Sequence, residues 1–81
     1  MPRVSGKVDA DQSLVRLGLA IRDARKALKM TQDELAHASG IERAHLGKVE
    51  RGERNVTLLN IVKIAEALRR QPSEILAAAG L

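Results

Sequence analysis

Cysteine, every aromatic residue and any long apolar run are missing from this 81-residue chain. Without cysteine there is no disulfide framework and no thiolate zinc site, so a reducing compartment is compatible and the core must hold by packing. Without Phe, Tyr or Trp, only Arg and His could stack on unpaired or flipped bases, which disfavours single-stranded nucleic acid as a partner. No run approaches the ~20 apolar residues that span a bilayer, and the N-terminal MPRVSGKVDADQ lacks the apolar stretch of a signal peptide. A cytoplasmic, nucleoid-associated protein without a membrane partner is therefore expected. Two histidines, no carboxylate-rich cluster and no phosphate-cradling glycine loop leave no catalytic constellation, and neither a metal nor a cofactor is expected.

What the chain does contain is 44% apolar residues, confined to aliphatic and small types that suit helices. Its length allows one small domain, with a marginal core unless a partner subunit helps. The net charge of +4 favours a polyanion, although charge alone suits a membrane surface or RNA equally well.

The most informative stretch is TQDELAHASGIERAHLGKVERG, Thr31 to Gly52. Thr31 and Glu34 have capping-box spacing, so a helix starts here with Gln32 in its first turn. Leu35 and Ala36 supply an inward face, and the small Ala36 lets a second helix cross closely. Ser39-Gly40 ends the helix, glycine being suited to a left-handed terminal residue, and Ile41 plugs the corner. Glu42 is placed to cap the next helix, in which Leu46 and Val49 turn inward. Arg43, Ala44, Gly47, Lys48 and Arg51 then share the opposite face. A helix with one apolar edge and one slim basic edge has the shape that enters a major groove of duplex DNA, where its N-terminal residues meet base edges. Gly47 costs roughly 1 kcal/mol relative to alanine in a helix, from which either close approach to the groove or simple tolerance can follow.

Elsewhere, residues 1–12 lack periodicity and read as a flexible arm, whose Arg3 and Lys7 either touch phosphate or lie idle. The remainder, 13–81, forms the domain. Leu14, Leu17, Ile21, Ala24 and Leu28 recur at helical spacing from Ser13 onward. A polar, basic loop leads to Thr57, a hydroxyl cap for a helix over about Leu58–Arg69 in which Leu58, Ile61, Ile64, Ala65 and Leu68 suit the core. Pro72 opens a last helix at the position where its missing amide is harmless, and Ile75 closes the core. Leu59, Val62, Leu76, Ala79 and Leu81 are surplus apolar residues that form a candidate self-complementary homodimer patch.

LGLAIRDARKALKMTQDELAHASGIERAHLGKVERGERNVTLLNIVKIAEALRRQPSEIL resembles the helix-turn-helix domain of the Cro/C1 (XRE) family of transcription regulators. ERGERNVTLLNIVKIAEAL is most similar to the controller proteins of restriction-modification systems. The resemblance implies an all-α, five-helix, lambda-repressor-like domain. It also implies a dimer that binds an inverted-repeat operator in double-stranded DNA and regulates its own gene, with RNA polymerase as a further partner if it activates. Position by position, Gln32 matches a phosphate-contacting glutamine, while Arg43, Ala44, His45 and Lys48 match base-facing positions. Arg43 is long enough to bond guanine O6 and N7 together; Ala44 offers a methyl group or space, and His45 a bond to base or phosphate. Arg51, Arg54 and Asn55 match loop positions with phosphate and minor-groove contacts. Glu50 opposes the helix dipole, and the resemblance implies that it points inward to pair with Arg25. A protein-interaction module of the same fold, antitoxin-like or bridging, is the alternative of another class.

Overall fold

The computed structural model describes residues 11–81. Among these, every regular element is helical: α1 (Ser13–Ala27), α2 (Gln32–Ser39), α3 (Arg43–Glu50), α4 (Leu58–Ala67) and α5 (Pro72–Ala78). Of the arm expected over residues 1–12, residues 1–10, with Arg3 and Lys7, lie outside the described part, whereas Gln12 stands at the N-cap of α1 and its carbonyl accepts from the Arg16 amide.

Local chemistry explains most helix boundaries. The Thr31 hydroxyl accepts from the Glu34 amide at 3.1 Å, and the Glu34 carboxylate accepts from the Thr31 amide at 2.9 Å. These are the reciprocal bonds of a capping box. Gly40 ends α2 with φ 72°, and its amide donates to the Ala36 carbonyl. Thr57 caps α4 by accepting from the Asn60 amide at 3.1 Å. Pro72 occupies the first turn of α5, and the Gln71 amide before it donates to Glu74 at 2.8 Å. Glu42 precedes α3 as expected but makes no side-chain capping bond.

Two helices stop short of their predicted ends because the chain turns left-handed without glycine. Lys29 and Arg69 adopt φ 58° and 59°, and the following amides, of Met30 and Arg70, return to the carbonyls of Arg25 and Ala65. Such a residue costs roughly 1–2 kcal/mol, which packing must offset. The first turn leaves Leu28 at the cap of α1, 38% exposed rather than in the core stripe. The second ends α4 at Ala67, two residues early, while keeping Leu68 buried.

The core gathers Leu17, Ile21, Leu35, Leu46, Val49, Ile64, Leu68 and Ile75 from all five helices. Helix α1 lies against α3 and α5, α2 against α3 and α4, and α4 against α5. Two further expectations are corrected. Leu58 was expected inside but is 70% exposed, because the first turn of α4 projects beyond the core. Ala79 was expected in the exposed patch but is only 6% exposed and belongs to the core cluster, since the turn closing α5 folds it inward.

The crossing of α1 over the end of α3 depends on Gly18. An ideal Cβ there would collide with the Glu50 carbonyl oxygen and lie 2.5 Å from that of Val49. Only a residue without Cβ allows these two backbones to come so close.

Candidate nucleic-acid interface

One buried carboxylate ties α3 to the two helices, α1 and α2, that position it. Glu50, at the last position of α3, accepts from Arg25 Nε at 2.8 Å through Oε2 and from Arg25 Nη2 at 3.0 Å through Oε1, a two-pronged pair between α3 and α1. Gln32 Nε2, at the start of α2, donates to the same Oε1 at 3.0 Å. Arg25 Nη1 donates to the Met30 carbonyl at 2.9 Å, which secures the α1–α2 connection. The pair's side chains are only 10% and 3% exposed, and no described buried side-chain polar atom is left without a partner. Charges removed from water are tolerated when each is paired and hydrogen-bonded in this way. Its geometric effect is to set the direction of α3 from both neighbours at once.

On the outer side of α3, Arg43 and Ala44 are exposed and His45 and Lys48 half-exposed, with exposed Arg51 one turn beyond Gly47. Gly47 is covered: a Cβ on it would lie 3.3 Å from Arg51 Nη1 and 3.7 Å from Gln32 Oε1. The contact with Gln32 is of ordinary van der Waals length, and only the flexible tip of Arg51 would have to shift for a Cβ. Arg54 and Asn55 are exposed in the loop that follows, after Gly52 turns the chain with φ 74°.

Acidic residues reach into this basic surface, and sequence reasoning missed them. Arg43 Nε lies 2.7 Å from Asp33 Oδ1, an ion pair from the start of α3 to the first turn of α2. Arg51 Nε donates to Glu53 Oε2 at 2.9 Å. This hydrogen bond, more than charge attraction, pushes the Arg51 guanidinium up and holds the Glu53 carboxyl below its ordinary range. Asp33 precedes Arg43 by ten residues and Glu53 follows Arg51 by two; only the second spacing is local enough to flag a pair from sequence. Gly18 was also missed, although a glycine in the middle of a helical stripe is itself a signal of close packing.

Residues 21–75 match the helix-turn-helix family. The chain belongs to it. It is of the Cro/C1 (XRE) type and is similar to restriction-modification controller proteins. Control protein C.SmaI of Serratia marcescens is 39% identical over 61 residues, which cover 75% of this chain and 73% of that protein. The crystal structure of the controller protein C.AhdI from Aeromonas hydrophila superposes with a TM-score of 0.75 and 47% identity, covering 76% of this chain and 94% of the other. C.Esp1396I bound to a 19-base-pair DNA duplex superposes with a TM-score of 0.75 and 28% identity, covering 85% and 96%. The helix-turn-helix unit here is α2, the Gly40 turn and α3.

The apolar patch expected for a homodimer is placed by α4, α5 and the chain end. Leu59 and Leu81 are 71% and 54% exposed, Val62 and Leu76 are partly buried, and Ala79 is withdrawn into the core. Leu58 adds an exposed leucine that sequence reasoning had assigned to the interior. Among the described residues, no helix is long and apolar enough to cross a membrane.

Proposed function

We propose that this protein is a sequence-specific, double-stranded DNA-binding transcription regulator that acts as a homodimer on an inverted repeat and controls its own gene. The observation that carries this reading is the rigid mounting of α3. Its inner end is clamped by Arg25 and Gln32 through Glu50, while its first residues, Arg43 and Ala44, face outward. A helix held in that way can present the same side chains to base edges in every encounter.

In this reading Arg43 donates to guanine O6 and N7, Ala44 contacts a thymine methyl, and His45 and Lys48 reach flanking bases or phosphates. Gln32 donates one amide hydrogen to Glu50 and retains a second for a phosphate. Arg51, Arg54 and Asn55 meet backbone and minor groove. Leu58, Leu59, Val62, Leu76 and Leu81 meet their copies across a two-fold axis, which places two recognition helices roughly 34 Å apart. Burial of the two most exposed leucines also supports a core that is small for a single chain.

The test is fluorescence anisotropy with labelled duplex from upstream of the protein's own gene, against a scrambled duplex, at low and physiological salt. A preference of ~10³-fold or more at physiological salt is expected, reduced in Arg43→Ala by about 1–3 kcal/mol. Equal binding to both duplexes that collapses with salt would reject sequence-specific regulation.

A further inference from the structure

We propose that Asp33, through its ion pair with Arg43, is a determinant of DNA specificity. The inference rests on the base-reading role proposed above for Arg43. Arg43 Nε lies 2.7 Å from Asp33 Oδ1, yet the two side chains are 64% and 74% exposed. Asp33 in the first turn of α2 complements the helix dipole, but exposed ion pairs contribute little to folding, so stability is a weak reason for the contact with Arg43. Position is a better one, because Arg43 opens the outer face of α3 and Asp33 lies in the first turn of α2, immediately beside it.

The contact has two effects on how Arg43 meets DNA. It engages Nε, on the flank of the guanidinium, and so orients the two terminal nitrogens as an outward edge, the geometry that pairs with guanine O6 and N7. It also places a negative charge against the arginine that phosphates would otherwise attract. Away from a guanine in the correct position, the outward nitrogens of Arg43 are left with phosphate as a partner, and Asp33 beside them repels that phosphate. Asp33 thus lowers affinity for arbitrary sequence more than affinity for the correct one.

The experiment uses the full chain with two probes, a duplex that the wild-type protein enriches from a randomised pool and a scrambled duplex of equal composition. Asp33→Asn keeps the side-chain shape and removes the charge. It is expected to bind the scrambled duplex about two- to five-fold more tightly, the range of an exposed ion pair. Its salt dependence on that duplex should steepen by about 0.9 in log–log slope, the equivalent of one additional phosphate contact. The preference for the enriched duplex should fall by at least the same factor. In an Arg43→Ala background, Asp33→Asn should leave the preference unchanged. An intact preference in Asp33→Asn, or an equal change in the Arg43→Ala background, would show that Asp33 acts as a general surface charge and overturn the inference alone. A wild-type protein that enriches no duplex would instead overturn the base-reading role beneath it.

Discussion

Replacing Gly18 by alanine sets two effects of opposite sign against each other. In an isolated helix the change is favourable by about 1 kcal/mol, because glycine has the greater backbone entropy to lose. In this fold the added Cβ collides with the Glu50 carbonyl oxygen and stands 2.5 Å from that of Val49, where carbon and oxygen normally approach to about 3.3–3.6 Å. The end of α3 must therefore retreat from α1 by at least roughly 0.8–1.1 Å, the shortfall at the Val49 oxygen, with the closer Glu50 oxygen requiring slightly more. The obstructing atoms are backbone and cannot rotate aside, and the same retreat draws Glu50 away from Arg25. Overpacking of this kind typically costs about 1–3 kcal/mol; with the propensity gain of about 1 kcal/mol subtracted, we expect a net destabilisation of up to about 2 kcal/mol. Urea unfolding followed by circular dichroism measures it, with an unchanged m-value as the check that the native state is intact. In thermal unfolding, a domain of this size loses roughly 4–8 °C per kcal/mol. A Gly18→Ala protein at least as stable as wild type would refute the account of the α1–α3 crossing.

Glu50→Ala leaves the Arg25 guanidinium buried without its carboxylate and should cost about 3–5 kcal/mol, a large share of a small domain's stability, measured by the same unfolding experiment. A loss under ~1 kcal/mol would mean that solvent reaches Arg25 and that the pair does not anchor α3. Leu59→Asp should convert a dimer to a monomer in sedimentation across a wide concentration range. Its melting temperature at high dilution should be little changed, because Leu59 is 71% exposed on the single chain. An unaltered dimer would remove Leu59 from the interface.

How much could be read in advance follows from whether the cause was local. The Thr31–Glu34 box, the Gly40 turn, the Thr57 cap and Pro72 at the start of α5 all act within four residues. Each was therefore visible in the chain. Helix ends without a glycine were less visible: Lys29 and Arg69 take left-handed conformations that their residue types do not announce. Leu58 and Ala79 were misplaced because helical periodicity tells which residues share a face, whereas burial depends on how far the neighbouring helices extend. Near the candidate interface the basic residues could be listed, but not the carboxylates that meet them. Asp33 and Arg43 come together only when the Gly40 turn folds α2 and α3 against each other.

By itself, then, the sequence determined an all-helical chain with a glycine-hinged helix pair and a slim basic face, because capping, chirality and periodicity are short-range effects. The tertiary structure alone decided that Gly18 passes against the carbonyls of α3, that Gln32 joins the Arg25–Glu50 pair, and that Asp33 holds Arg43. Those contacts join residues 10 to 32 positions apart, from Asp33–Arg43 to Gly18–Glu50. Their distances are set by how the helices pack, which no local propensity encodes.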